Sequence, residues 1–272
     1  MATPIGNLED ISSRALDSLA RADAIAAEDT RVTARLLEHH RLRGKLIAVH
    51  EHNERRAAER IVRELAQGKS IALVTDAGTP GISDPGALVV ASARAAGFRV
   101  VPIPGPNAAI AALSASGLPD GPFLFFGFLP ARSAARRKAL AQLRATPHTL
   151  VFYEAPHRIV ECVEDISAVL GPDRTLVLAR ELTKMFEEIH RCSLGEATAW
   201  LSGNPDRRRG EFVLIVEGAG DDAPDADWEP TLSALLAEMP LARAVKLVCK
   251  ITGAKKNEVY ARALSLAGKA SR

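Results

Sequence analysis

Short contiguous apolar runs alternate with longer segments of helical period along the first half of the chain. Ile11 to Ala27 has helical spacing, with Leu16, Leu19 and Ala20 on one face. Arg31 to His39 continues as a short helix, and Lys45 to His50 reads as a strand. Asn53 to Gln67 is a charged amphipathic helix carrying Ile61, Val62 and Leu65, and Gly68 stops it. Two apolar runs, Ile71 to Thr75 and Arg99 to Ile103, are bounded by Gly and Pro and are predicted to be buried strands. Helices are predicted over 86–96 and 107–116. Such alternation predicts a mostly parallel sheet with flanking helices.

A Gly- and Pro-rich stretch, Gly117 to Pro122, opens the second half. Strands are predicted at Phe123–Phe128, Thr149–Tyr153, Arg174–Leu178 and Phe212–Glu217, with a shorter one at Glu187–Cys192. Ser133 to Ala145 is a basic helix. The pattern is that of a second α/β domain with antiparallel members at its end. Gly218 to Pro230 reads as a flexible linker, and Thr231 to Ala267 as helix, broken in two at Gly253. The expected division is an α/β domain over 1–117, another over 118–220, a linker over 221–230 and a small basic helical domain over 231–272.

Composition narrows the class. The 272 residues are 47% hydrophobic and 25% charged, ordinary for a globular chain. No apolar run approaches the roughly 20 residues of a membrane span, and MATPIGNLED lacks the basic-then-apolar pattern of a secretory signal. Cys162, Cys192 and Cys249 are far apart and odd in number, which suits a reducing cytoplasm and offers no metal-ligand spacing. From Asp225 onward eight Lys/Arg face five Asp/Glu, a net +3, against −1 for the rest. A basic tail on a near-neutral body points to a polyanion such as nucleic acid, or to a solvated helical face.

The candidate chemistry lies in the loops after the strands, because ligands of such sheets bind outside the strands' carboxyl ends. Gly78 to Gly86 packs three glycines among Pro, Ser, Thr and Asp. Its spacing is neither a dinucleotide fingerprint nor a phosphate loop; it is a tight connection or a ligand cradle. Pro104-Gly105-Pro106-Asn107 precedes small residues, with Asn107 a good N-cap and backbone donors suited to a carboxylate. Ala2 to Asn7 repeats this small-residue chemistry. Glu28 to Arg31 is either a helix cap or a charged rim. His50-Glu51-His52 lacks a third ligand and reads as a polar rim, with no metal expected. Tyr153 to Arg158 and Arg180 to Glu188 put charge at strand ends, as surface ion pairs or as site residues. No Ser-His-Asp set or activated thiol supports nucleophilic hydrolysis.

Together, Ala2 to Asp10, Glu28 to Arg31, His52 to Glu54, Thr75 to Gly86, Pro104 to Ala109, Tyr153 to Arg158, Arg180 to Lys184 and Arg209 to Glu217 resemble the tetrapyrrole methylase superfamily of S-adenosylmethionine-dependent methyltransferases. They do so in order over nearly the whole chain. The GTPGISDPG loop is similar to that of the ribosomal RNA branch; the corrin-making branch shows a Gly-Asp-Pro core instead. The resemblance implies two α/β domains with S-adenosylmethionine in the cleft between them, usually in a homodimer. It also implies a small C-terminal helical domain that includes Lys256 to Tyr260. The implied cofactor contacts are Ile5, Ala77, Gly78, Thr79, Ile82, Asn107, Ala108, Glu154 and Leu182. The implied acceptor is the 2′-hydroxyl of cytidine 1402 of 16S ribosomal RNA in the small subunit. One departure is that the family carries a strand just before the ATPIGN motif, whereas this sequence begins at Met1. The expectation is a truncated or late-assigned start that exposes a neighbouring strand's edge and disturbs Ile5.

Methyl transfer to a weakly acidic hydroxyl calls for alignment and for a proton acceptor. Candidates for the second role are Glu28, Asp29, Glu154 and Lys184, a carboxylate being the simpler base. RNA contacts are expected from Arg132, Arg136, Arg137 and Lys138, and from Lys246, Lys250, Lys255 and Lys256. An aromatic content of 4% favours phosphate contact over stacking. A corrin or porphyrin methylase, a diphthamide-type protein methylase and a non-catalytic RNA-binding assembly factor are the competing readings.

Overall fold

The computed structural model describes residues 1–219, 228–252, 254 and 256–269. Helix α1 (Ser13–Arg21) leads into β1 (Ala24–Ala27), α2 (Thr30–His39), β2 (Leu46–Ala48), α3 (Glu54–Ala66), β3 (Ile71–Val74) and α4 (Ala87–Ala95). The strands make a three-stranded parallel sheet in the order β2-β1-β3. The helical period expected over 11–27 therefore ends at Arg21. Alanine favours helix in isolation, but all of β1 is buried, and a central strand covered on both faces accepts such an apolar run. Asp23 fixes the switch: its carboxylate accepts from the Ser70 amide (2.7 Å) and hydroxyl (2.9 Å), bringing the starts of β1 and β3 together.

The strand expected at Arg99–Ile103 does not form. Val101 is 53% exposed, and the Ala2 amide donates to the Ile103 carbonyl at 3.3 Å. A strand needs a neighbour along its whole length to take up its backbone groups. Here residues 1–3 stand against β3 instead. The Met1 amine donates to the Leu73 carbonyl (2.9 Å), the Thr3 hydroxyl donates to the Thr75 carbonyl (2.9 Å), and Thr3 and Gly78 exchange both backbone bonds (2.9 and 3.0 Å). These bonds hold the segment leading to Ile5, so Ile5 keeps its place beside the cavity described below, contrary to the expected disturbance.

The second half runs α5 (Ala108–Ala115), β4 (Phe123–Phe128), α6 (Ser133–Leu143), β5 (Thr149–Glu154), α7 (Ile159–Leu170), β6 (Thr175–Arg180), β7 (Glu188–Ser193), α8 (Leu194–Ser202) and β8 (Phe212–Val216). Its five-stranded sheet has the order β4-β5-β8-β6-β7, with β4 parallel to β5 and the other pairs antiparallel. Alternate residues divide between two faces. Leu150, Phe152, Leu176, Leu178 and Leu214 pack with Leu140, Ile159, Ile166 and Leu201 of α6, α7 and α8. Val151, Val177, Val213 and Ile215 pack with Ala109 and Ala112 of α5. Thus α5, which sequence places in the first domain, lies on the second sheet and brings its own N-terminus to the junction.

Beyond the body, α9 (Glu229–Glu238), α10 (Leu241–Thr252) and α11 (Lys256–Lys269) enclose a separate cluster around Leu232, Val245, Val248 and Val259. Among the described residues three helices stand where two were expected. Pro240 has no amide hydrogen and disfavours helix in the residue before it, so α9 ends at Glu238. Gly253, Lys255 and residues 221–227 of the expected linker lie outside the described residues. Among the described residues no helix is long and apolar enough to cross a membrane.

Candidate active site

The ends of β3, β5, β6 and β8 and the start of α5 converge on a cavity of about 300 Å³ between the two sheets. Its first wall is the loop from Thr75 to Gly86. Gly78 holds φ +82°, a backbone shape that side chains resist, and this lets its amide and carbonyl meet Thr3. The Thr79 hydroxyl donates to the Pro106 carbonyl at 3.2 Å and ties this loop to the next. At the far end the Glu54 carboxylate accepts from the Gly86 amide (2.8 Å) and the Leu88 amide (3.0 Å), capping α4 from α3.

The second wall is Asn107-Ala108. The Asn107 side chain accepts from the Ile110 amide (3.1 Å), and the Tyr153 hydroxyl accepts from the Ala109 amide (3.2 Å). Two first-turn donors of α5 are thereby occupied. Tyr153 also packs edge-on against Phe125 and Phe128. Glu154, its side chain fully buried, accepts from the Ala155 amide (2.8 Å) and from Arg158 (3.1 Å).

The third wall follows β6. Glu181 and Thr183 hold positive φ of 52° and 65°, and Ser83 across the cavity holds 67°. Such strain persists only where neighbours fix it. The Glu187 carboxylate accepts from the Thr183 amide (2.6 Å), and the Thr183 hydroxyl accepts from the Asn7 amide (3.1 Å). Lys184 donates to Glu181 (2.8 Å) and Glu211 (2.9 Å), and these carboxylates raise its pKa above the ordinary lysine value despite partial burial.

Every residue nominated for cofactor contact lines this one cavity: Ile5, Ala77, Gly78, Thr79, Ile82, Asn107, Ala108, Glu154 and Leu182. Of the candidate bases, Glu154 and Lys184 line it as well, whereas Glu28 and Asp29 stand behind its first wall. Glu28 accepts from the Thr75 hydroxyl (2.7 Å), and Asp29 is bound to Arg31 (2.6 Å), which holds its pKa at about 2. Lys184 is thus held as a cation by two carboxylates, and Asp29 is paired with Arg31 outside the cavity. Asp84, Phe128, Tyr153 and Glu211 line the cavity but were not nominated. Asp84 and Tyr153 sit inside motifs that the sequence singles out, so their position was legible though their surroundings were not. Burial and then the charge of Glu28 lift the Asp84 carboxyl to about 6, with a smaller push from Asp76; a hydrogen bond from the Thr75 hydroxyl works the other way.

The nominated RNA contacts divide. Arg132 and Lys138 are exposed on and beside α6, and Lys246, Lys250 and Lys256 are exposed on the C-terminal helices. Arg136 is not available: it is fully buried and donates to Asp165 at 2.7 Å. Arg137 is exposed, and it too is paired with Asp165. The helical period of α6 turns Arg136 inward, where α7 supplies the counter-charge. His50 and His52 lie at an exposed turn, their ring centroids 6.1 Å apart.

A family model described as "Tetrapyrrole (Corrin/Porphyrin) Methylases" matches residues 2–198, and one described as "RsmI C-terminal HTH domain" matches 222–267. A protein of Escherichia coli O157:H7 named Ribosomal RNA small subunit methyltransferase I is 53% identical over 98% of this chain and 94% of its own length. A protein of the same name from Pseudomonas aeruginosa is 48% identical over 99% and 97%. Among solved structures, uroporphyrin-III C-methyl transferase from Thermus thermophilus, complexed with S-adenyl homocysteine, superposes with a TM-score of 0.53 at 19% identity, covering 78% of this chain and 93% of that one. The chain belongs to the tetrapyrrole methylase family, among the ribosomal RNA small subunit methyltransferases I.

Proposed function

We propose that this protein transfers the methyl group of S-adenosylmethionine to the 2′-hydroxyl of cytidine 1402 of 16S ribosomal RNA within the small ribosomal subunit, acting in the cytoplasm as a homodimer. The observation that carries the reading is the composition of the cavity. Most of its lining is small or apolar, and Lys184, the cation among the described lining residues, is already neutralised by Glu181 and Glu211. That leaves no charge for a nucleotide phosphate, while Asp84, with Glu28 and Asp76 behind it, gives the first wall a negative potential that favours a cationic ligand. A sulfonium nucleoside fits this chemistry. When bound, S-adenosylmethionine supplies an electrophilic methyl on a positively charged sulfur. Ala77, Gly78, Ala108, Ala155 and Ala179 allow close approach to backbone, and Ile5, Ile82, Leu182 and Phe212 exclude water from an adenosine. The choice of ribose and of cytidine draws on the resemblance to the ribosomal RNA branch. The exposed Arg132, Lys138, Lys246, Lys250 and Lys256 supply cations for phosphates.

The test is transfer of tritium from labelled S-adenosylmethionine to purified small subunits lacking the modification, with free 16S RNA and a porphyrinogen as parallel acceptors. Label on a single cytidine ribose of the subunit is expected. Label on the porphyrinogen alone, or on no acceptor despite cofactor binding, overturns the reading.

A further inference from the structure

We propose that the carboxylate of Asp84 accepts the proton of the acceptor hydroxyl during methyl transfer; this rests on the function proposed above. The cavity's other carboxylates and its amine are engaged. Glu154 bonds the Ala155 amide and Arg158, Glu211 pairs with Lys184, and Lys184 is a doubly paired cation. Glu28 bonds the Thr75 hydroxyl outside the lining, and Asp29 is bound by Arg31. Among the described residues Asp84 has no ion pair and no backbone amide on its carboxylate; the Thr75 hydroxyl, which donates to Glu28, is the one side-chain hydrogen-bond partner acting on it, and it lines the cavity.

Its surroundings suit the task. Glu28 at the end of β1, Asp76 at the end of β3 and Tyr153 of β5 are the titratable groups that face it, with Arg31 reaching Asp76 beyond. Partial burial and the first two charges raise its proton affinity to about 6, so it is ionised near neutrality yet more basic than an ordinary carboxylate. The preceding Ser83 holds its strained φ of 67° close to Gly127, and Glu54 anchors the loop's end at Gly86, so the carboxylate stands on a fixed segment. In the step, the hydroxyl oxygen forms a bond to the methyl carbon as the sulfur–methyl bond breaks. The sulfur keeps that electron pair and becomes a neutral thioether, and the hydroxyl proton passes to Asp84 and then to water.

The experiment compares wild type, Asp84→Asn, Asp84→Glu and Glu28→Gln in single-turnover methylation of unmodified small subunits from pH 5 to 9. Calorimetric titration of each with S-adenosylmethionine, and a carbon-13 carboxyl titration of the free protein, run alongside. At saturating S-adenosylmethionine Asp84→Asn is expected to lose about 100-fold or more in rate, well beyond the weakening of cofactor binding that Glu28→Gln shows when it removes a charge behind the same wall, and Asp84→Glu to recover part of it. The wild-type rate should fall tenfold per pH unit below about 6, a carboxyl resonance absent from Asp84→Asn should titrate at the same point, and Glu28→Gln should move both downward. Asp84→Asn turning over at the wild-type rate, or an Asp84 resonance titrating near 4, overturns the assignment alone. Wild type that labels no ribose overturns the functional reading and this assignment with it.

Discussion

Asp84 and Arg136 show how one side chain's meaning depends on residues remote in sequence. Asp84 has a folded-state proton affinity raised above that of the unfolded chain, so between the ordinary carboxylate value of 3.8 and about 6 the folded state binds more protons. Stability therefore falls as pH rises through that window and stays lower above it. Asp84→Asn removes the penalty: its melting temperature should exceed wild type at pH 7.5 and match it below pH 4. A neutral-pH melting point below wild type would contradict the sign. Arg136 is the opposite case, a buried cation whose partner Asp165 lies on α7. Arg136→Met leaves that carboxylate to Arg137 and Ser133, and should cost about 3 kcal/mol in urea unfolding with no change in RNA affinity. Lys138→Ala should do the reverse. The sequence brought the cavity-lining residues together well, because strand-end loops rich in Gly, Pro and Ala announce themselves. It could not show which charges meet: nothing local marks Arg136 as buried, or Glu28 as the neighbour of Asp84.

At the scale of elements, long periodic segments such as α3 and α7 and the apolar runs of β5, β6 and β8 were readable, since each carries its own pattern. The failures have a common cause. Ala24–Ala27 has helical composition, but its position at the centre of a parallel sheet decides its state. Arg99–Ile103 has strand composition and lacks the neighbour that would pair it. Secondary structure at both places is a property of the partner rather than of the segment. Glu54 illustrates a tertiary cap that local reading also misses. Gly86, at φ +124°, offers no side chain to the start of α4, and Glu54 takes its amide and that of Leu88 from a different helix. Glu54→Ala should lower stability by about 1–2 kcal/mol. It should also weaken S-adenosylmethionine binding several-fold in calorimetry, because the cavity's first wall loses its anchor. Unchanged affinity would separate the cap from the site.

For the whole molecule, the division of labour between the body and its basic tail yields the remaining prediction. The cavity draws on both sheets and α5, so binding of the small ligand belongs to the body. The tail has its own apolar cluster around Val245, Val248 and Val259, which leaves Arg243, Lys246 and Lys250 of α10 on an exposed, helically spaced face. Those cations do no structural work in the described fold, whereas Arg136 and Arg137 are spent on Asp165. If α10 meets the phosphate backbone, each lost contact should reduce the dependence of log K on log salt by roughly 0.7–0.9. Lys246→Glu with Lys250→Glu should therefore flatten the salt dependence of binding to 16S RNA between about 50 and 200 mM by 1 to 2 units. S-adenosylmethionine affinity and the melting temperature of the body should not change. A salt slope equal to wild type would place the RNA contact elsewhere, with the exposed Arg132 and Lys138 on and beside α6 as the surface to examine. A flattened slope with retained cofactor binding would mean that recognition and chemistry occupy separate cores of one chain.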